Sequence, residues 1–443
     1  MKSRFDVIII GAGAAGLAAA RDLSSAGKTI CILEGRQRIG GRIWTIHSPD
    51  LPLPIELGAE FIHGDAEETF AIVDAGALLT YELPQTFWRS SGGQRPTAVR
   101  RTKGQPRAAV PHKWRLEPNF WEEITRIRKR IPAGAHDISF ADFLKKQRGL
   151  SRGLKQMALH FVEGYHASHA DRISAASLRA SDEEDEDPKQ HRIANGYDAV
   201  IEWLRAGLHP QRADLRLGSE VTDVSWRRGE VEVQTARGET VRGKAAVVTI
   251  PIGVWKASAG IRFDPPLREK QRAIEKIEVG HVVKIVFRFR QRFWEAADFI
   301  KHPLAFVQTF DRFMPTWWTS APARSTLLTG WAGGHAADRM LAQGRSAMID
   351  RALDTLASTF AMKRSEIDRL LDSTHMHDWQ ADRFSRGAYS YAGIGGDRAH
   401  AALAKPVAGT LFFAGEATSG DQTGTVAGAI SSGKRVAKQI LAT

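Results

Sequence analysis

The stretch Phe5-Asp6-Val7-Ile8-Ile9-Ile10-Gly11-Ala12-Gly13-Ala14-Ala15-Gly16 decides the fold of this chain. Its first six residues are mostly apolar and β-branched, which predicts a buried parallel strand. An Ala-rich helix over residues 14–26, stopped by Gly27, follows the glycine turn, and a second short strand covers residues 29–33. Strand, turn, helix and strand in this order predict a βαβ unit.

Each glycine of the turn has its own physical reason. Gly11 permits the tight turn, Gly13 lets the backbone approach a pyrophosphate, and Gly16 allows the helix to pack closely on the strand. The start of the helix offers free N–H groups and a partial positive charge to phosphates. Glu34 ends the second strand, where motifs of this kind place an acid that binds a ribose hydroxyl. The pattern predicts a dinucleotide site but does not separate NAD from FAD.

Composition sets broad limits on the class of protein. A chain of 443 residues suggests two or three domains, one of which can be assembled from separated segments. The net charge of +12 could indicate a nucleic-acid partner, but no nucleic-acid motif accompanies it, so we do not expect one. The single cysteine, Cys31, excludes an intramolecular disulfide, and neither a secretory leader nor an apolar stretch of about 18 residues is present. We expect a cytoplasmic protein without a membrane partner.

Further along the chain, hydrophobic periodicity and turn residues predict alternating elements. The prediction comprises a long basic loop over residues 89–111, helices between residues 120 and 156 with a break near 132–134, an acidic loop over 182–188, a β-rich region over 215–250, a strand over 281–289, and helices over 345–360 and 425–441.

A second glycine turn, Arg38-Ile39-Gly40-Gly41-Arg42, follows Glu34 closely. Paired glycines let a chain pass close to a ligand, and the planar guanidinium of Arg42 can neutralise a phosphate. Together with Glu34-Gly35-Arg36, this turn resembles the flavin amine oxidase family of monoamine oxidases, polyamine oxidases and lysine-specific histone demethylases. The resemblance continues, in the family's order, through Glu56–Gly64, Val248–Val254, Lys284, Trp379, Gly387–Tyr391, Phe413–Thr418 and Gly424–Ala429.

The resemblance favours FAD as the cofactor. Glu416, after a predicted strand, can hold ribityl hydroxyls, and a helix that begins near Thr425 can stabilise negative charge on the pyrimidine edge of a reduced flavin. The residues assigned to the cofactor site are Gly11, Gly13, Ala14, Ala15, Gly16, Glu34, Gly35, Arg36, Gly41, Arg42, Gly58, Ala59, Glu60, Val221, Trp379, Gly415, Glu416, Thr425 and Val426.

Three residues are candidates for the chemistry itself. The resemblance implies that Lys284 hydrogen-bonds through a water to flavin N5 and assists reoxidation by dioxygen, although pattern alone would also allow a solvent-facing lysine. Tyr389 resembles one aromatic wall of the family's substrate cage, where a π-face attracts a cationic amine. His63 resembles a histidine near the substrate amine in animal polyamine oxidases, and a turn-capping role stays open. Trp379 could equally pack under the flavin.

Several departures from the family pattern distinguish this chain from monoamine oxidases. Monoamine oxidases have a second aromatic wall where this chain carries Thr425, and they attach the flavin through a cysteine where it carries Ala388. We therefore expect a half-open cage and non-covalent FAD. We expect no membrane helix after Leu441, again unlike monoamine oxidases. The motifs are closest to those of polyamine oxidases.

The expected fold is α/β: a doubly wound Rossmann-type FAD-binding domain, discontinuous, with an inserted α+β substrate domain. The expected segments are residues 1–85, 191–260 and 401–443 for the FAD-binding domain and residues 86–190 and 261–400 for the substrate domain. The expected reaction is oxidation of an amine by dioxygen to an imine, with release of hydrogen peroxide. Two alternatives stay open: an oxidase or desaturase of an amino acid or a C–C bond, and a flavin-binding protein without turnover. Substrate and oligomeric state are left open.

Overall fold

A computed structural model of the chain describes residues 4–90, 114–117, 119–134, 136–180, 189–257, 260–295, 303–309 and 311–443. The predicted acidic loop lies outside these residues. Most of the predicted basic loop does too, and its first two residues, Arg89 and Ser90, are part of a strand. The loop prediction was wrong at these two positions, which pair with a neighbouring strand across the sheet.

An eight-stranded sheet organises the first part of the molecule. Its order is β10-β2-β1-β13-β12-β11-β14, with β22 beside β13. The strands are β1 Arg4–Ile10, β2 Ile30–Leu33, β10 Ala213–Arg216, β11 Val221–Arg227, β12 Glu230–Thr235, β13 Thr240–Val248, β14 Arg262–Asp264 and β22 Leu411–Phe413. Strands β10, β2, β1, β13 and β22 run parallel, whereas β12 is antiparallel to both of its neighbours.

The predicted first strand is confirmed as β1, parallel to a strand on each side. Its side chains alternate between two hydrophobic cores, because Val7 and Ile9 pack on one face of the sheet and Ile8 and Ile10 on the other. A strand segment buried on both faces is apolar at every position, which explains the unbroken apolar run Val7–Ile10. The sheet places the ends of β1, β2, β13 and β22 along one edge.

A seven-stranded sheet forms the second layer. Its order is β20-β16-β19-β18-β17-β7-β8. Its strands are β7 Phe87–Ser90, β8 Trp114–Leu116, β16 Val282–Phe289, β17 Phe306–Thr309, β18 Thr316–Thr319, β19 Leu327–Gly333 and β20 Leu371–His375. Neighbours are antiparallel except β7 and β17. In β16, Val283, Ile285 and Phe287 pack into one core, so Lys284 lies on the opposite face with Val282 and Val286.

Two two-stranded sheets and one three-stranded sheet complete the sheets of the described residues. These are β3 Thr45–Ile46 with β4 Ile55–Glu56, β5 Ile62–His63 and β6 Thr80–Glu82 with β9 Gln190–Ile193, and β15 Ile277–Val279 with β21 Ser390–Ala392.

Helices cover both sheets. They are α1 Ala14–Ser25, α2 Glu67–Ala75, α3 Phe120–Arg128, α4 Phe140–Lys146, α5 Arg152–Tyr165, α6 Ala175–Ala180, α7 Asp198–Ala206, α8 Ile252–Trp255, α9 Arg268–Glu275, α10 Gly334–Leu341, α11 Arg345–Thr359, α12 Arg364–Leu370, α13 Ala399–Ala404 and α14 Val426–Leu441. Helix α14 packs on α1, so the end of the chain closes over its beginning. Among the described residues, none of the helices has both the length and the apolar character that crossing a bilayer requires.

Candidate functional site

A continuous cavity of about 1530 Å³ lies where the two large sheets face each other. One side is lined by residues at the carboxyl ends of the parallel strands, such as Ile10, Leu33 and Thr249, and the other by residues of β16–β19. Ligands of open α/β sheets bind at this edge. The cavity exceeds the ~300–1,000 Å³ of ordinary small-molecule pockets, which indicates a ligand longer than a simple metabolite.

The glycine turn after β1 forms one end of the cavity. Gly11 has a φ of +105°, and a Cβ there would lie 2.5 Å from Oγ1 of Thr249. A Cβ on Gly16 would lie 2.0 Å from the carbonyl oxygen of Gly11, so this residue serves close helix packing. A Cβ on Gly13 would meet no atom within 4 Å, and Gly13 faces the cavity. The space that Gly13 leaves open is thus available to a ligand.

The start of α1 adds anion-binding capacity at this end. Gly13 precedes the helix and, like any glycine, supplies no side-chain cap to the first-turn N–H groups. Ala14 and Ala15 line the cavity. Uncapped N–H groups together with the helix dipole form a site for phosphate. The second glycine turn lies beside this helix start, since Gly40 pairs with Gly13 and both Gly40 and Gly41 have positive φ values.

Glu34 lies buried at the end of β2, in the cavity wall. One carboxylate oxygen accepts the N–H of Ala12 at 2.8 Å and the other accepts that of Arg36 at 2.9 Å. Arg36 is held in turn by Oδ1 of Asp382 at 2.8 Å and by the hydroxyl of Ser385. Each carboxylate oxygen keeps a further lone pair for a ligand hydroxyl. The acid is therefore fixed in the place where the sequence predicts ribose binding.

Arg42, which is partly exposed, pairs with the buried Glu416 from a distant part of the chain. Nη1 of Arg42 lies 3.1 Å from Oε1 of Glu416 and also donates to the carbonyl of Ala388. The other oxygen of Glu416 accepts the hydroxyl of Ser390 at 2.7 Å. Arg42 thus neutralises a protein carboxylate in this structure, and the pair fixes the loop after β22 against the second glycine turn.

Lys284 is confirmed as a buried residue, with 3% of its surface exposed. Its Nζ lies 2.7 Å from Oε2 of Glu60 and donates to the carbonyl of Gly58 at 3.0 Å. Oε1 of Glu60 is bound by Arg192 at 2.7 Å and by Nε1 of Trp318 at 3.0 Å. Burial opposes ionisation of Glu60, but the charges of Lys284 and Arg192 hold its pKa below the ordinary value. The network fixes the Lys284 side chain at the cavity wall.

His63, in β5, faces the cavity between aromatic rings. Its ring lies edge-on to those of Phe61 and Tyr165, at 5.9 and 5.3 Å between centroids. Its Nδ1 is buried with no hydrogen-bond partner among the described residues, which disfavours the turn-capping alternative. Burial lowers the pKa of His63 to about 4, and burial together with Arg128 and His63 lowers that of His166 to about 3. Both imidazoles are neutral at physiological pH.

Tyr389 and Trp379 lie on the wall that joins the two ends of the cavity. The hydroxyl of Tyr389 donates to the carbonyl of Tyr165 at 2.6 Å, which fixes the ring. Burial, with the nearby Tyr165 and Glu416, raises the pKa of Tyr389 above its ordinary value, so the phenol stays protonated. Trp379 is buried and donates its Nε1 proton to the carbonyl of Leu57 at 3.0 Å.

An aromatic chamber forms the end of the cavity beyond Lys284. Its described lining residues come from many separate segments of the chain; the aromatic ones are Phe61, Phe87, Phe120, Trp121, Phe161, Tyr165, Phe306, Trp318, Trp331 and Tyr389. Sequence reasoning missed all of them except Tyr389, and also missed Arg192. One signal was available, because Phe161 and Tyr165 stand four residues apart on α5 and so share a face.

The predicted site residues come together almost completely. All of those assigned to the cofactor or to the chemistry line this one cavity, except Gly16. Thr425 caps α14 by accepting the N–H of Gly428 at 2.9 Å, and Val426 begins the helix at the cavity wall. The open space at Gly13, the uncapped α1 and the fixed Glu34 fit a dinucleotide at one end. The roles of the individual residues stay predictions.

Comparisons with known proteins agree with this geometry. A family model described as flavin containing amine oxidoreductase matches residues 14–441. A polyamine oxidase of Oryza sativa subsp. japonica is 33% identical over 98% of this chain and 88% of its own length. Lysine-specific histone demethylase 2 of Homo sapiens is 28% identical over 98% of this chain and 53% of its own.

Solved structures show the same fold. A wild-type putrescine oxidase bound to putrescine superposes with a TM-score of 0.78 at 21% identity, covering 99% of both chains. Cyclohexylamine oxidase from Brevibacterium oxydans gives a TM-score of 0.77 at 20% identity, covering 98% of both chains.

Proposed function

Since this chain belongs to the flavin-containing amine oxidoreductases, we propose that it oxidises an amine with dioxygen as the electron acceptor and releases hydrogen peroxide. The predicted fold class, the flavin cofactor and the oxidation of an amine agree with the family. The observation that carries the proposal is the single cavity that connects the dinucleotide turn, Lys284 and the aromatic chamber. A bound flavin would supply the redox chemistry, as acceptor of a hydride from the carbon beside the amine nitrogen and as donor of the electrons to dioxygen.

The dinucleotide end explains how this chain would hold FAD without a covalent bond. Residues that fit the pyrophosphate are Gly13 and the first N–H groups of α1, and Glu34 fits a ribose. Ala388 has no nucleophilic atom, so attachment at that position is excluded chemically. Acid precipitation of the holoprotein should therefore release all of the flavin into the supernatant. A yellow pellet would contradict non-covalent binding.

The aromatic chamber suits an amine with an apolar substituent. The π-face of Tyr389 attracts a cationic amine, while the rings around it replace water against an apolar body. His63 and His166 are neutral, so they do not repel the approaching amine, and His63 presents a ring nitrogen without a described partner. Glu60, the buried carboxylate nearest to Lys284, is already bound by two cations. We therefore propose monoamines with apolar substituents as better substrates than polyamines.

Lys284 would act on the oxidative half of the reaction. Its ammonium is fixed by Glu60 and by the carbonyl of Gly58, so its charge needs no reorganisation when negative charge develops on dioxygen. The walls around it exclude bulk water, which strengthens this electrostatic effect. The sequence-based role of Lys284 in reoxidation is thus compatible with its position at the cavity wall.

The decisive experiment is anaerobic mixing of the holoprotein with a panel of amines, followed by admission of air. Benzylamine and hexylamine should bleach the flavin faster than putrescine and spermidine, and air should restore the colour with one hydrogen peroxide per reduced flavin. Faster bleaching by the polyamines would contradict the proposed substrate class. Bleaching without peroxide on reoxidation would contradict dioxygen as the acceptor.

Oxidation of an amino acid is the second candidate, and one observation favours it. Arg128 lines the chamber, and an arginine there is the feature that would bind a carboxylate. Its Nε donates to the carbonyl of Leu178 at 2.8 Å, which fixes its position. The panel therefore includes phenylalanine and leucine beside the matching amines, phenethylamine and isopentylamine. Preference for the amino acids, lost in Arg128→Met, would select this alternative.

A further inference from the structure

Three histidines and an aspartate meet at the start of β16, outside the residues that line the cavity. His169 lies in the segment between α5 and α6, His281 directly precedes β16, and His335 and Asp338 stand three residues apart on α10. The i, i+3 spacing puts the last two on one helix face. We call these four residues the His–Asp cluster.

The ligand atoms of the cluster already converge. Nε2 of His169 lies 2.8 Å from Oδ2 of Asp338, and Nδ1 of His281 lies 2.7 Å from Oδ1 of the same carboxylate. All three groups have ligand atoms within 4.8 Å of one another. Nδ1 of His335 is 3.8 Å from Oδ2 of Asp338, so a fourth ligand is within reach. Tetrahedral zinc with bonds of about 2.0–2.1 Å separates its ligands by about 3.3 Å. The two His–Asp contacts of 2.7 and 2.8 Å would lengthen by about half an ångström, and the ligand atoms that now lie up to 4.8 Å apart would move closer.

The rings are oriented and supported from outside the cluster. The His169 ring is nearly perpendicular to those of His281 and His335, at 84° and 79°, so three nitrogen atoms approach from different directions. The hydroxyl of Tyr391 lies 3.2 Å from Nδ1 of His169, and Asp171 holds Nε2 of His335 at 2.9 Å. Metal-binding histidines usually have such a partner on the second nitrogen, because it fixes the ring and its tautomer.

Access and donor chemistry restrict which ion fits. His169 is buried, whereas about a third of each of the other side chains is exposed, so an ion can enter from solvent. Imidazole nitrogen with one carboxylate is a donor set for zinc and neighbouring divalent transition metals, and is unsuitable for calcium or magnesium.

We propose that the His–Asp cluster binds one zinc ion. The ion would join α10, the start of β16 and the segment after α5. It would lie behind Tyr391, whose strand β21 also carries Ser390, the partner of Glu416. This inference does not depend on the proposed reaction. The competing explanation is that Asp338 only joins two histidines by hydrogen bonds.

The test uses untagged, flavin-loaded protein treated with a chelator and then titrated with zinc chloride in a calorimeter. One zinc per chain should bind, and Asp338→Asn and His281→Ala should each weaken binding by about 100-fold. The matched control is His47→Ala, which removes an exposed histidine from another His–Asp pair, 2.8 Å from Asp198, and should bind zinc like the parent protein. Flavin content verifies that each variant is folded.

Cobalt provides a second measurement that does not depend on affinity alone. Cobalt in the parent protein and in the His47→Ala variant should give the intense visible absorption of four-coordinate nitrogen and oxygen ligation, and Asp338→Asn should abolish it. Zinc at 100 times its Kd should raise the Tm of this chain by about 3 °C. The proposal would be overturned if Asp338→Asn and His47→Ala bound zinc equally well. It would also be overturned if Asp338→Asn lowered the Tm while zinc left the Tm of the parent protein unchanged.

Discussion

Replacing Lys284 by methionine tests the buried ion network most directly. Methionine keeps much of the side-chain volume and removes the charge that lies 2.7 Å from Glu60. Breaking a buried ion pair costs about 3–5 kcal/mol, because the remaining charge stays buried. Arg192 and Trp318 still bind the other oxygen of Glu60, so we expect Lys284→Met to lower the free energy of unfolding by about 3 kcal/mol, the lower limit of this range.

The change in melting temperature follows from the size of the chain. At about 2.1 cal/mol/K per residue, the entropy of unfolding is about 0.9 kcal/mol/K, so a loss of about 3 kcal/mol lowers the Tm by about 3 °C. Combining Lys284→Met with Glu60→Gln removes both charges of the pair. The double variant should be more stable, by about 1–3 kcal/mol, than the sum of the single effects predicts. Additive Tm shifts in calorimetry would show that the two residues are not coupled.

Stopped-flow kinetics separates this structural effect from a role in the reaction. Lys284→Met should slow reoxidation by dioxygen by about 100-fold, the size of the effect when one preorganised charge is removed. Reduction by the amine under anaerobic conditions should change far less, because Lys284 is assigned to the oxidative half. Lys284→Arg is the control that keeps the charge. Equal slowing of both half-reactions would refute the assigned role.

Three further substitutions test other parts of the cavity. Gly13→Leu should give folded, colourless protein, because the leucine side chain would fill the open space at the phosphate end of the cavity. Gly13→Ala, the control, should retain part of the flavin. Full flavin content of the leucine variant, measured by absorbance, would contradict this assignment. Tyr389→Leu should raise KM for benzylamine by about 10-fold, because the π-face is lost. Tyr389→Phe loses only the hydrogen bond to Tyr165, so its KM should stay within about threefold of the parent value. Equal KM values for the leucine and phenylalanine variants would show that Tyr389 is not part of the substrate wall. Because burial lowers the pKa of His63 to about 4, the neutral ring stabilises the fold above pH 6.5, and this contribution is lost as the pH falls from about 6.5 to about 4. At pH 5 the free energy of unfolding is lower by about 2 kcal/mol for this reason, so His63→Gln should reduce the fall in Tm between pH 7.5 and pH 5 by about 2 °C. If the fall in Tm is unchanged in His63→Gln, His63 does not titrate in this way.

Local sequence patterns predicted the parts of the fold whose cause is local. The run Val7–Ile10 is apolar at every position because this part of β1 is buried on both faces, and Gly16 is required because a Cβ there would meet the carbonyl oxygen of Gly11, five residues earlier. The β-rich region with its two turns and the closing helix α14 were predicted for the same reason, since periodicity and turn chemistry act over short distances.

The candidate site was predicted only where motifs are contiguous. The residues of the amino-terminal and carboxyl-terminal motifs line one cavity, and the structure brings them to one edge of the sheet because α14 packs on α1 and β22 pairs with β13. The pairing of Arg42 with Glu416 could not be seen, because the residues lie far apart in the sequence and meet only through this packing.

The sequence by itself determined the βαβ unit, its dinucleotide turn and the family to which the whole chain is similar. These features depend on backbone conformation and on short spacings, which the residue types specify directly. Tertiary structure decided what surrounds Lys284, since Glu60 reaches it from another segment of the chain and is held in turn by Arg192 and Trp318 from two more. It also decided the aromatic chamber and the His–Asp cluster, because such sites arise only when separate elements pack and bury their side chains together.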